Sequence, residues 1–256
     1  MTRDFSTETD YDKIIIALFE KKFKAGGHKE KIDFTKDELV ETAKKLRIPL
    51  RNPPDVVYTY RSRRVLPGQI LRMGNWMLVP KGKGKFAFEK TEKSPFIEIQ
   101  KGLAPIEILN AMPEIVEKYT ANDEQGLLSA IRYNRLIDIF TGITCFHLQS
   151  HIRTTIRNEG QVEIDELYVG IDEDGREYII PTEAKSPDER DKLGWYQVAN
   201  LVSFAKQYFP HMKCRPLAAK PIKKAMVYLI EFDDENDYEK IGIKNIKLYK
   251  FVREES

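Results

Sequence analysis

The segment YIIPTEAKSPDER, residues 178–190, decides how this chain is read. Side chains alternate across a strand, so Glu183 and Lys185 share one face at the end of an apolar strand and Ala184 takes the other. The stretch QVEIDELYVGI at 161–171 also alternates, and DEDG at 172–175 is a tight-turn signal between the two. Residues 161–185 therefore read as a hairpin. In its first strand, alternation groups Glu163, Asp165 and Leu167 on one face, with Val162, Ile164 and Glu166 on the other. Folding at the turn carries Asp165 to the same sheet edge as Glu183. Two adjacent carboxylates repel unless a cation lies between them, and oxygen-only ligands suit Mg²⁺. A lysine beside such a pair stabilises charge growing on phosphorus or assists an attacking water. The competing reading is an exposed Glu183–Lys185 ion pair, worth well under ~1 kcal/mol.

Working outward, GWYQVANLVSFAKQYF (194–209) has helical spacing, while KAMVYLIEF (224–232) and NIKLYKFVRE (245–254) read as strands. Residues 122–156 read as helix. Leu127, Leu128, Ile131, Leu136, Ile137 and Phe140 supply its apolar positions, and Gly142 a break. In that helical reading His147 and His151 fall four apart, the spacing of a zinc-binding pair, but no third ligand accompanies them. Arg153 and Arg157 are also four apart. With Gln149, Ser150, His151, Thr154 and Thr155 they form a group suited to nucleic-acid backbone. The proline-containing residues 94–121 read as a connector, helical in part around PIEILNAMPEIVEKY (105–119).

Of the 256 residues 41% are hydrophobic, enough for one large core or two modest ones. Cys145 and Cys214 are the two cysteines, which excludes a disulfide scaffold or a four-cysteine zinc site. No apolar run approaches the roughly 20 residues of a membrane span. Asp4, Glu8 and Asp10 fit neither a secretory nor a transit signal, so the expectation is a cytoplasmic protein, bacterial or phage-encoded. The net charge of +2 conceals an asymmetry: residues 44–90 hold twelve Lys and Arg against two acids. Tyr58, Tyr60, Trp76 and Phe86 interleave with those charges, a combination that points to a polyanion such as nucleic acid.

The same region has a recognisable order. Ile14, Ile15, Leu18 and Phe19 mark a first helix closed by Gly26-Gly27. Thr35 and Glu38 form a capping box for a second, with Leu39, Ala43 and Leu46 as its core stripe. Asn52 and Pro53 open a third, stopped by Pro67-Gly68, and NWMLVPKGKGKFAFEK (75–90) is a basic hairpin. Three short helices and a basic hairpin in residues 1–93 resemble a winged helix-turn-helix domain. That resemblance implies a third helix in the DNA major groove, with Asn52, Tyr58, Thr59, Arg61, Ser62, Arg63 and Arg64 toward DNA. Lys81, Lys83 and Lys85 would be wing contacts to phosphates.

Asp165, then strand-borne Glu183-Ala184-Lys185, then an amphipathic helix resembles the PD-(D/E)xK, or restriction-endonuclease-like, nuclease superfamily over about residues 122–235. The resemblance implies Mg²⁺-dependent phosphodiester hydrolysis. Asp165, Glu183 and the Ala184 carbonyl would be metal ligands, Lys185 would lie near the attacking water, and Gln197 on the following helix would point at the site. The pattern departs from the family in having Ile164 where its proline would stand. The acid often carried on the preceding helix has no single counterpart: Gln149, His151, Glu124 and Asp138 are the positions available there, and Glu163 is the alternative on the strand.

The expected fold is α/β (α+β), with a winged-helix domain at 1–93 and a nuclease domain at 122–256. The expected activity is a type II restriction endonuclease acting on double-stranded DNA as a homodimer, with a cognate DNA methyltransferase encoded nearby as its companion. The alternatives are a repair or structure-selective nuclease and a non-catalytic winged-helix regulator.

Overall fold

A computed structural model of the protein describes residues 8–26, 30–62, 64–121, 123–157, 159–189, 191–223 and 225–253. The chain is mixed α and β and divides into two compact units. The first comprises the described part of Met1–Phe96 with Arg157–Gly160, and the second Ile97–Ile156 with Gln161–Ser256.

The first unit runs α1 (Asp10–Gly26), β1 (Lys31–Thr35), α2 (Lys36–Lys45), α3 (Pro53–Ser62), α4 (Gly68–Leu71), β2 (Trp76–Pro80) and β3 (Lys85–Lys90). Its strands form an antiparallel sheet in the order β1-β3-β2. Thr35 caps α2 as its sequence predicts: Glu38 N–H donates to Thr35 Oγ1 at 3.2 Å, and Thr35 N–H to Glu38 Oε2 at 2.9 Å. The sheet and helices close on an aromatic centre in which Phe19 meets Trp76 and Phe88 edge-on, at 5.1 and 5.0 Å. Two tyrosines pin α3 to α1: Tyr60 donates to Asp12 at 2.6 Å and Tyr11 to Asp55 at 2.9 Å. Gly82, Lys83 and Gly84 all have positive φ, so the turn between β2 and β3 needs glycine on both sides of Lys83.

Three expectations for this unit change. Helix α3 ends at Ser62, and Pro67-Gly68 opens the short α4 rather than closing α3. Residues 31–35 form a strand ahead of α2. Leu46 sits at the C-cap of α2 and is 41% exposed, whereas Leu39 and Ala43 are buried: the helix ends at Lys45, and its core stripe stops at Ala43.

The second unit runs β4 (Ile106–Leu109), α5 (Glu114–Tyr119), α6 (Glu124–Tyr133), α7 (Leu136–Thr141), β5 (Thr144–Ile156), β6 (Gly160–Ile171), β7 (Glu177–Ala184), α8 (Trp195–Tyr208), β8 (Lys213–Cys214), β9 (Leu217–Lys223), β10 (Met226–Phe232) and β11 (Ile243–Val252). One sheet takes the order β4-β11-β10-β9-β7-β6-β5, with β8 also paired to β7. The β6–β7 hairpin forms as read, with Glu166 opposite Thr182 and Ile171 opposite Glu177. On its other side the end of β7 runs parallel to β9, Glu183 beside Ala218 and Ala184 beside Ala219. Helices α6 and α7 pack with Tyr168, Ile180 and Leu229 in one apolar cluster. Helix α8 is buried along Tyr196–Ala205 and packs with Ile164, Leu167 and Ile179 in another.

Residues 144–156 are a strand rather than a continuation of helix. Gly142, at φ 73°, caps α7, and the Thr- and Ile-rich sequence after it extends. From Ile97 on, the stretch read as a connector belongs to the second unit: Ile106–Leu109 is a strand, β4, paired in parallel with β11, and only Glu114–Tyr119 of it is helix. Leu167 does not share the face of Glu163 and Asp165; it packs with Val162 and Ile164 in the cluster against α8. Cys145 and Cys214 are buried and free, and no helix of the described residues is long and apolar enough to cross a membrane.

The end of α2 gives a direct check on the first core. Leu39→Ala should cost about 2–5 kcal/mol of unfolding free energy. Leu46→Ala should stay within about 0.5 kcal/mol of the unmodified protein. Denaturant titration of both variants measures the difference, and equal losses would contradict the helix end described above.

Candidate active site

The β6–β7 ladder ends at the pair Glu166–Thr182, and just beyond it the Asp165 side chain meets the end of β7. The contact is made by the main chain: Ala184 N–H donates to Asp165 Oδ2 at 2.7 Å. On the opposite edge Lys185 N–H donates to the Ala219 carbonyl at 2.9 Å. The strand end is thus clamped from both sides, which is why a charged Glu-Ala-Lys lies inside the unit: Asp165 and Glu183 are each 8% exposed and Lys185 5%. Glu183 Oε1 accepts from Lys185 Nζ at 2.7 Å and from Gln197 Nε2. Gln197 is fixed in turn by Gly194 N–H, which donates to its Oε1 at 3.1 Å. Asp191 completes the surroundings of the lysine, its Oδ1 lying 3.6 Å from Nζ. A surface ion pair is therefore excluded as the description of Glu183 and Lys185.

The electrostatics of this arrangement are unbalanced toward negative charge. Burial, then the neighbouring Glu183 and Glu124, push the Asp165 carboxyl up to about 9. Glu124, in the first turn of α6, is pushed up to about 7 by burial and by Glu183, against the opposing pull of Lys185. Burial works to lower Lys185, but Glu183 and Asp191 outweigh it and hold its pKa above the usual lysine value. One buried ammonium thus stands among several carboxylates, of which Asp165 stays protonated at neutrality and Glu124 titrates about there. This is the charge pattern a divalent cation would relieve. The oxygen donors suit a hard ion such as Mg²⁺.

A further carboxylate of this neighbourhood lies on α6. Asp123 caps that helix by accepting from Gly126 N–H at 3.0 Å, and the cap sets the first turn in which Glu124 meets the field of Glu183 and Asp165. Asp138 is placed elsewhere, accepting from Cys145 N–H at 3.0 Å and paired with Arg135. Glu163 stays at the margin. Its Oε1 is 3.2 Å from Arg153 and 3.8 Å from His151 Nδ1, and ligand atoms of His151, Glu163 and Asp165 lie within 4.8 Å of one another.

His147 and His151 do not form a pair, because β5 carries them to different carboxylates. His147 Nε2 lies 2.7 Å from the buried Glu166, which also accepts from Ser150 Oγ at 2.9 Å and faces Arg132 at 3.8 Å. Ser150 and Glu166 both address the same ring nitrogen, so the group cannot relay a proton as a nucleophilic triad does. Ser150 is therefore occupied, while Gln149 and Arg153 are exposed on the strand.

In the first unit α3 buries Val56, Val57 and Tyr60, leaving Tyr58 and Thr59 half-buried and Arg61 over the Tyr58 ring at 5.4 Å. Asn52 and Arg64 are exposed. Arg63 and the Ser62 side chain lie outside the described residues. Lys81, Lys83 and Lys85 are exposed around the β2–β3 turn, with Lys81 paired to Glu89 at 2.7 Å.

Comparison of the chain with protein-family models, with curated proteins and with solved structures yields no match.

The raised carboxyls carry a consequence for stability. An acid whose folded pKa exceeds its unfolded value favours folding fully below the unfolded pKa and loses that contribution as pH rises through the folded one. In EDTA, the melting temperature should therefore fall between pH 5 and about 9 through Asp165, and over the lower part of that range through Glu124. Asp165→Asn keeps an acceptor for Ala184 N–H and should flatten the decline. A decline of equal slope in the variant would show that Asp165 carries no such penalty.

Proposed function

We propose that the chain is a Mg²⁺-dependent DNA endonuclease of the PD-(D/E)xK kind. The observation that carries this reading is the convergence of buried Asp165, Glu183 and Lys185 at the end of β7, with Glu124 as a third carboxylate. Glu124, an acid on a helix preceding the hairpin whose carboxyl feels Glu183, supports it as the further acid that the sequence left open. Asp165, Glu183, Glu124 and the Ala184 carbonyl are the groups that would hold the metal. Bound there, Mg²⁺ supplies Lewis-acid polarisation of the scissile phosphate. The remaining chemistry belongs to the chain. Lys185 presents a fixed positive charge beside the phosphate and orients the attacking water. Gln197 restrains Glu183, and the buried setting strengthens each of these interactions. Attack in line with the leaving 3′ oxygen requires no covalent intermediate.

The substrate assignment rests on the first unit. Its order of helix, strand, two helices, a short helical turn and a final strand pair is compatible with a winged helix. Its exposed basic residues include Lys81, Lys83 and Lys85 around the β2–β3 turn, and Arg61 lies against Tyr58 beside the buried face of α3. Phosphate contacts from such a surface position a duplex without specifying its sequence. A restriction role, with a homodimer cutting both strands and a methyltransferase as companion, is the form of this activity that the architecture suggests.

Incubation with plasmid and phage DNA in Mg²⁺ tests the proposal. Discrete fragments are expected; general degradation would favour a repair or structure-selective nuclease. No cutting in any divalent cation would favour a DNA-binding regulator. Lys185→Ala should lower the cleavage rate by about 10²–10³-fold while DNA binding measured in Ca²⁺ is retained. Undiminished cutting would remove Lys185 from the mechanism.

A further inference from the structure

The loop that follows β7 is held by a lysine that belongs to no motif. Lys220, on β9, donates from Nζ to three main-chain carbonyls: Ser186 at 2.6 Å, Asp188 at 2.8 Å and Asp191 at 2.8 Å. An ammonium has three N–H donors and no acceptor, so this arrangement uses every donor it has. The loop, gathered round one charge, turns Asp191 back on itself: its N–H donates to the Asp188 carbonyl at 3.0 Å, and its Oδ2 accepts from Ser186 N–H at 2.7 Å. The other oxygen, Oδ1, then faces Lys185 Nζ at 3.6 Å.

Lys185 thus has two supports of different kinds. Glu183 is the closer, at 2.7 Å, but it is also one of the groups that would hold the metal. Asp191 stands outside that group. On the reading that this is a hydrolytic metal centre, we propose that Lys220 is a positioning residue. It fixes the loop so that Asp191 keeps Lys185 in place while Glu183 serves the cation. Lys220 touches no reacting atom and acts through Asp191. A lysine that merely tied down a surface loop would need no carboxylate of that loop aimed at Lys185.

The test uses the full chain with Lys220→Met, which keeps the aliphatic stem, Asp191→Ala, and the two combined. Three readouts apply: exchange of the Ser186 amide, followed by NMR; single-turnover DNA cleavage in Mg²⁺; and DNA affinity in Ca²⁺. In Lys220→Met the Ser186 amide should exchange on the order of tenfold faster as the loop opens locally. Cleavage should fall by on the order of 10²-fold in each single variant, the loss expected of a group displaced by about 1 Å. DNA affinity should hold. The double variant should cut no more slowly than either single one, because both changes remove the same support. In Lys220→Ala, added n-propylammonium should restore cleavage where tetramethylammonium at equal ionic strength does not.

Losses that multiply in the double variant, or a Ser186 amide unchanged by Lys220→Met, would overturn the role given to Lys220. An unmodified chain that cuts no DNA would instead overturn the nuclease reading on which that role stands. The amide readout needs no substrate, so the two failures are distinguishable.

Discussion

Everything distinctive about the second unit follows from placing like charges inside it. A carboxylate withdrawn from water is costly unless it is paired, hydrogen-bonded or neutralised. Asp165 has a main-chain donor, Ala184 N–H, and meets the like charges of Glu183 and Glu124, which Lys185 only partly opposes. Glu183 is satisfied by Lys185 and Gln197, and Lys185 by Glu183 and Asp191. The sheet enforces this crowding. β7 is clamped by β6 on one edge and β9 on the other, so the charged end of the strand cannot turn outward without breaking both ladders. A fold that holds acids together in this way must neutralise them, with a proton or with a cation.

The legible parts of the sequence were those in which one periodicity ran unopposed. The β6–β7 hairpin alternates with period two around DEDG, and Thr35 and Glu38 announce the start of α2. The illegible parts each carried a contrary signal. In β5, His147 and His151 at a spacing of four imitate a helical face, and His151 itself takes φ 50°, which interrupts strand alternation. In β9, Pro221 argues against a strand because it has no N–H for a ladder. The structure accommodates it: the β7 pairing of β9 covers only Leu217–Ala219, and the β10 register shifts beside the pair Val227–Pro221. β4 was hidden by the prolines around it and finds its partner, β11, only across a long stretch of chain.

The candidate site divides along the same line. Asp165, Glu183, Lys185 and Gln197 lie on elements whose order the sequence displays. Glu124, Asp191 and Lys220 are brought in by tertiary packing, and nothing local marks them. Asp123-Glu124 at the start of α6 carries an N-cap signal, but a cap says only that a helix begins there. Lys220 lies in a strand whose proline disguised it. Such residues become visible only when distances replace spacings.

The central claim is that Asp165, Glu183 and Glu124 together form a cation site. Calorimetric titration of Mn²⁺ into the protein near pH 7, repeated in buffers of different ionisation enthalpy, tests it without any substrate. Because burial and neighbouring carboxylates keep Asp165 protonated at this pH in the metal-free state and leave Glu124 part-protonated, binding should be saturable and accompanied by proton release, and Asp165→Asn should abolish it. Absence of binding, or binding left unchanged by that substitution, would contradict the account.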